Sequence, residues 1–300
     1  MIRVRRSGVS RLRRLGVVLV LAGVVVAGWA GPAAAHAGGL VATDARGRVT
    51  ALTPAIAGLT VTAIEDGAKL RLRNNTGTPV AVPVGGGPAT PATVAPGTTL
   101  TWADTRASPV GRKVAVGRTV AWSLVLDAAG TPVTVTGELT GSPRPSPAWW
   151  WAAALTLAVA VAMLARRTRR PDLTLAALGT LAAAASITHV IGSTLAVASA
   201  PPLGTFVNAA GINLLAWPLT IGGAVAVARS RPAGVLAVCA GAALTAVFVL
   251  PDVTSFHRAV LPFAGPATLE RLLILLALAG GAGVAVAGAS VLRTLAEARA

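Results

Sequence analysis

Five long apolar blocks, each ended by a turn or an arginine-bearing segment, constrain this chain more than any other feature of it. They cover about residues 149–165, 173–198, 206–228, 232–250 and 269–292. Some 20 apolar residues in helical form cross about 30 Å of hydrocarbon. Helices also satisfy their own backbone hydrogen bonds, which a lipid interior requires. The blocks therefore predict about five transmembrane helices. A composition of 54% hydrophobic and 12% charged residues belongs to the same class.

The formal net charge of +16 invites a nucleic-acid reading, so its distribution matters. Arg3, Arg5, Arg6, Arg11, Arg13 and Arg14 precede the first apolar run, and Arg166, Arg167, Arg169 and Arg170 follow the block at 149–165. Charges placed beside apolar blocks orient segments in a bilayer and do not form a phosphate-binding stripe. No nucleic-acid partner is expected. The partners expected are the lipid bilayer and an extracytoplasmic protein.

Residues 1–35 have the parts of a secretory signal: a basic start, an apolar run from Leu15 to Ala27, and small residues through Ala33-Ala34-Ala35. Cleavage after Ala35 would make His36 the new N-terminus, whereas cleavage after Ala37 would discard it.

From residue 36 to 140 the pattern is β. Period-two alternation runs through Arg48–Leu52, Leu59–Ile64, Ala68–Arg73, Thr99–Trp102, Thr119–Leu126 and Pro132–Leu139. Turn signals separate these runs at Asp66-Gly67, Asn74–Gly77, Pro96-Gly97 and Ala129-Gly130. About seven short strands predict an all-β sandwich of immunoglobulin-like or cupredoxin-like kind. Residues 84–97 are rich in Gly and Pro and read as a loop. Residues 141–148 read as a stiff Pro-rich linker, and Trp149, Trp150 and Trp151 mark entry into the bilayer of the helical domain at 149–300.

With the β-domain outside, the arginines at 166–170, Arg229, Arg231, Arg293 and Arg299 fall at inner helix ends, and only Arg258 and Arg271 fall at outer ends. The positive-inside rule then agrees with the signal peptide. The expected location is the plasma membrane, with an extracytoplasmic N-terminal domain and a cytoplasmic C-terminus.

Two candidate sites emerge. At an exposed N-terminus, the α-amine and imidazole of His36 can chelate copper together, with Asp104 as the candidate second ligand. In the helical part, His189, Asp252, His257, Glu270 and Arg271 all fall toward the outer leaflet, with Asn208 and Asn213 nearby. Such residues are costly to place in lipid and gather where function or helix pairing needs them. In the plainer and preferred reading, His189 bonds a neighbouring helix and the interfacial charges face water. Gly280, Gly281 and Gly283 read as helix-packing positions. The lone Cys239 permits no disulfide within the chain. No nucleophile elbow, phosphate loop, His-Glu-x-x-His or paired carboxylates appear in context. No catalysis is expected.

The chain resembles a family of actinobacterial membrane proteins without an assigned activity. The resemblance rests on Ala33–His36, Leu70–Gly77, Trp102–Arg106, Trp122, Val133–Leu139, Pro145–Trp149 and Val260–Pro266. In that family the tryptophan is followed by His-Asp-His-Arg, whereas here Ala103 and Thr105 stand at the histidine positions. A weaker similarity, at His36, is to extracytoplasmic copper carriers of the CopC type, which use a further histidine that this β-domain lacks. The expected function is non-catalytic: a β-domain that binds a partner or senses an external ligand. Extracytoplasmic copper binding through His36 is one alternative, and a transporter-like role of the bundle is another.

Overall fold

The computed structural model describes residues 39–83 and 91–297, the last seven of these by backbone alone. The signal segment and His36 lie outside the described residues. Eight strands form two antiparallel sheets: β1 (Ala45–Thr53), β2 (Leu59–Ile64), β3 (Lys69–Asn74), β4 (Val80–Val82), β5 (Ala92–Val94), β6 (Thr98–Trp102), β7 (Thr119–Ala128) and β8 (Thr131–Gly141). One sheet has the order β1-β8-β7-β4-β5 and the other β2-β3-β6.

The alternation seen in the sequence sets which face turns inward. Trp122, Leu124 and Leu126 of β7, Val133, Val135 and Leu139 of β8, and Leu70 and Leu72 of β3 meet in one core shared by both sheets. β7 and β8 form a hairpin whose turn, Ala129-Gly130, has positive φ at both residues and is closed by the Gly130 amide donating to Asp127 Oδ1 at 2.7 Å. Trp122 pairs with Gly137 across that hairpin, and a Cβ on Gly137 would lie 2.1 Å from the indole Cζ2. The glycine thus makes room for the buried ring.

One sequence expectation is corrected. The stretch 84–97 is not loop throughout, because Ala92–Val94 forms β5 and pairs with β4 in the register Val80↔Val94. Both strands are three residues long, too short for alternation to register, and only the pairing partner makes them strands.

The helical part contains α1 (Pro147–Arg167), α2 (Pro171–Leu195), α3 (Pro202–Ala210), α4 (Asn213–Ala228), α5 (Ala233–Phe248), a 3-10 segment (Leu250–Phe256), α6 (Ala267–Leu275), a π turn (Leu276–Gly280) and α7 (Gly281–Glu297). Three helical stretches, 147–167, 171–195 and 267–290, are long and apolar enough to cross a membrane. The number rises to five if each bent pair counts as one span: α3 with α4, bent by 70°, and α5 with the 3-10 segment, bent by 55°. The first bend sits at Gly211, whose φ of +48° is open to glycine at low cost.

Small residues bring the helices together. A Cβ on Gly283 would meet Val161 at 2.7 Å, one on Gly281 the Ala242 carbonyl at 2.7 Å, and one on Gly223 the backbone of Val238 at 2.7 Å. Close approach of this kind yields dispersion contact where apolar surroundings supply no hydrophobic drive between helices. Two buried hydroxyls are satisfied locally: Thr194 and Thr220 donate to the carbonyls of Val190 and Ala216, each one turn back.

Gly137→Ala should lower stability by roughly 1–3 kcal/mol by driving the Trp122 ring from its slot. Gly77→Ala, where a Cβ meets nothing within 4 Å, should be close to neutral. Urea unfolding of the two full-length variants in detergent checks the contrast.

Candidate functional site

Residues 189, 252 and 270 come from three separate segments and meet in the interior. His189, in the last two turns of α2, places Nδ1 2.8 Å from Glu270 Oε1 and Nε2 3.3 Å from Asp252 Oδ2. All three side chains are at most 8% exposed. Glu270 opens α6, where free backbone amides favour an anion. Its neighbour Arg271, about 100° further round the helix, faces elsewhere. Arg271 is buried and donates from Nε to the Ser255 carbonyl at 2.9 Å and from Nη2 to the Arg258 carbonyl at 2.9 Å. Those carbonyls lie at the C-terminal end of the 3-10 segment that carries Asp252, so Arg271 holds the segment while Glu270 meets the same imidazole as Asp252. Phe256, fully buried at the end of the same 3-10 segment, stacks on Trp150 of α1 with ring centroids 5.6 Å apart.

The other members of the predicted cluster lie apart. His257 is exposed, as is Asn208, whereas Asn213 is buried at the start of α4. Among the described residues no three His, Cys, Asp or Glu side chains converge so as to hold a metal ion. The imidazole lies between the two carboxylates and not beside them.

A second polar assembly joins the β-domain to the helices. Glu65 and Asp66 both adopt left-handed backbone conformations, φ +56° and +55°, at a cost of roughly 1–2 kcal/mol each. The result is a fully buried Glu65 carboxylate that accepts from the amides of Ala198 and Ser199 at 3.0 and 2.9 Å, just beyond α2. Lys69 bridges Glu65 and Ser199 Oγ, and Arg71 Nη2 donates to the Ala198 carbonyl at 2.5 Å. On the other side, buried Asp44 pairs with Arg258 and, at 2.8 Å, with Arg144. Beside it Thr43 and Val260 exchange backbone hydrogen bonds at 2.9 Å in each direction. The Pro-rich segment therefore does not hold the sheets away from the helices. Sequence reasoning missed Glu65 and Asp44. The signal lay in the scarcity of acids: of ten, Asp44, Glu65, Asp104, Asp252 and Glu270 have buried side chains.

Asp104 sits far from these assemblies in role. Its Oδ1 accepts from the Arg106 amide and Nε at 2.9 Å each, and its Oδ2 from Arg106 Nη2 at 2.7 Å. Both oxygens of this candidate copper ligand are thus engaged by Arg106. Burial alone would raise the Asp104 pKa, but the hydrogen bonds and charge of Arg106 outweigh it and hold the carboxyl below its usual value. His36, the other candidate, lies outside the described residues. No protein-family model matches this chain, and no curated protein or solved structure matches it either.

Glu65→Ala would leave the Ala198 and Ser199 amides without their acceptor and Lys69 without its carboxylate partner. The variant should lose roughly 2–3 kcal/mol, read as faster hydrogen exchange at Ala198 and Ser199. Because the folded pKa of Asp104 is depressed, its contribution is in force above the unfolded value of about 3.9 and is lost as pH falls through the folded value. Asp104→Asn should therefore flatten the loss of β-domain stability below about pH 4, measured as urea midpoint against pH.

Proposed function

We propose that this chain is a non-catalytic membrane protein of the cell envelope. In this reading the bundle is embedded in the plasma membrane, the sheets are extracytoplasmic, and the C-terminus is cytoplasmic. The β-domain is the module that binds a partner or senses an external ligand.

The observation that carries this reading is the junction built by Glu65, Lys69, Arg71, Asp44 and Arg258. Displaying a domain at a surface needs only a tether. Burying carboxylates among opposing charges and amides is costly unless geometry is good, and it fixes the orientation of the domain on the helices. A fixed orientation matters where an event at the sheets has to be felt by the bundle. That requirement favours sensing or partner recognition over simple display.

Two further observations support the membrane and its orientation. Leu155, Leu195, Leu203 and Leu236 leave more than half of their surface uncovered along the helices, a pattern suited to hydrocarbon and costly in water. The six arginines at 166, 167, 169, 170, 229 and 231 are exposed, while Arg258 and Arg271, near the sheets, are engaged by Asp44 and by carbonyls. Within the helical part the free positive charge thus gathers at the end away from the β-domain, as the positive-inside rule asks.

In a Cys239→Ala background, a cysteine at Ala121 should react with an impermeant maleimide in intact cells, and one at Ser230 only after lysis. The reverse pattern would overturn the orientation. Photocrosslinkers at Ala121 and Val125, exposed on β7, should capture a discrete adduct in cells. Absence of any adduct from these and the other exposed strand positions would count against recognition by the β-domain.

A further inference from the structure

A neutral imidazole has one N–H to donate and one lone pair to accept with, whereas an ionised carboxylate only accepts. Both ring nitrogens of His189 face a carboxylate oxygen, at 2.8 Å and 3.3 Å. With the imidazole neutral and both acids ionised, one nitrogen lone pair would point at an anion in a buried site. The two contacts are both attractive only when the trio carries one further proton. It resides on the ring as an imidazolium, or on one carboxyl that then donates to the ring nitrogen. For coupled groups the proton belongs to the set.

The surroundings leave this proton few other hosts. The charged groups that face the imidazole are Asp252 from the 3-10 segment and Glu270 from α6, and the adjacent Arg271 is turned to backbone carbonyls. α4 brings Trp217, which donates to Ser186 Oγ at 3.2 Å, and Asn213, neither of them titratable. α3, the π turn and α7 as far as Ser290 carry no titratable residue, and those of α1 are the arginines at its far end. The only one of α5, Cys239, packs on Gly288 of α7.

Two buried hydroxyls lie next to the trio. Ser193 is one α-turn beyond His189, and Ser255 is one 3-10 turn beyond Asp252, so each shares the face of the residue it follows. Each is 3% exposed, and neither Oγ has a partner among the described residues. Both lie on the side toward the β-domain, because the chain beyond each runs directly into the junction. From His189, α2 leads to Ala198 and Ser199, which Glu65 holds. From Asp252, the 3-10 segment leads to Arg258 and Val260, which Asp44 and Thr43 hold.

We propose that His189, Asp252 and Glu270 form a one-proton binding site, filled from the β-domain end past Ser193 and Ser255, whose occupancy keeps the two arms of the junction in register. The proton passes between solvent water and the trio, and no covalent bond changes. With the proton bound, the imidazole ties α2 to the 3-10 segment and to α6. With it gone, two anions face a neutral ring in a poorly screened interior, and the 3-10 segment is released from α2. The Arg258–Asp44 and Val260–Thr43 contacts loosen with it. The inference goes beyond the binding role of the β-domain and holds for either orientation in the membrane.

The test uses the full chain in lipid nanodiscs with His36→Asn and His257→Asn, which leave His189 as the sole imidazole. At about pH 6 to 7, nitrogen NMR should show a doubly protonated ring. Alternatively, infrared spectra should show a protonated carboxyl band that Asp252→Asn or Glu270→Gln removes. A neutral ring beside two ionised carboxylates would overturn the site. Amide exchange at Thr43 and Val260, corrected for its intrinsic pH dependence, should rise about tenfold or more when alkaline pH strips that proton. In His189→Gln the pH dependence should vanish, and its persistence there or its absence from the parent chain would overturn the coupling. Should His189→Gln fail to fold, Arg258→Gln decides. It should loosen Thr43 and Val260 while the proton signal stays, and loss of that signal would mean that the trio only follows from docking.

Discussion

The contacts of His189 with Asp252 and Glu270 hold together the end of the helical part nearest the sheets, and much else there is arranged around them. They join residues separated by 63 and 81 positions in the chain. Each of the three segments could pack its apolar side in several registers, since leucine, valine and alanine are nearly interchangeable at such contacts. A buried ion contact is less forgiving, because a shift of one residue leaves a charge without a partner. The trio therefore selects one register for α2, the 3-10 segment and α6, and Arg271 fixes the segment by its carbonyls.

The position of the β-domain follows from that register. Both chain segments that receive it, 196–199 and 258–260, continue directly from the elements that the trio ties together. Glu65 takes up a left-handed backbone conformation to reach the first, and Asp44 meets Arg258 at the second. The charged face of β3, which alternation sets opposite Leu70 and Leu72, is in part the docking face: Lys69 and Arg71 contact Ser199 and Ala198. Arg71 there meets a backbone carbonyl just beyond a helix end, where free carbonyls attract cations, and Lys69 meets the Ser199 hydroxyl.

Physical accounting of polar groups links the two regions. In a chain with so few acids, each buried carboxylate has to be matched by a donor or a charge. Asp104 is matched within three residues by Arg106, and so shapes a local turn. Glu65, Asp44, Asp252 and Glu270 are matched across the tertiary structure, and they mark the places where distant segments meet. Local pairing stabilises a loop, whereas distant pairing defines how the molecule is assembled.

The sequence by itself determined the strands with clear alternation, the apolar helices, the turn at Ala129-Gly130 and the helix-packing role of Gly281 and Gly283. Each depends on periodicity or on one residue's backbone freedom, which are local properties. It also brought His189, Asp252 and Glu270 to one end of the bundle, because helix length and direction set position along it. The preferred expectation that the charges there face water fails for the buried Asp252, Glu270 and Arg271. Only the tertiary structure decided that His189, Asp252 and Glu270 touch while His257 stays exposed, since rotation about a helix axis is set by neighbouring helices and not by hydropathy. It alone decided that β4 and β5 are strands, that two apolar blocks bend, and that the Pro-rich segment leaves the sheets seated on the helices. Those outcomes rest on partners far away in the chain, and no window of sequence contains them.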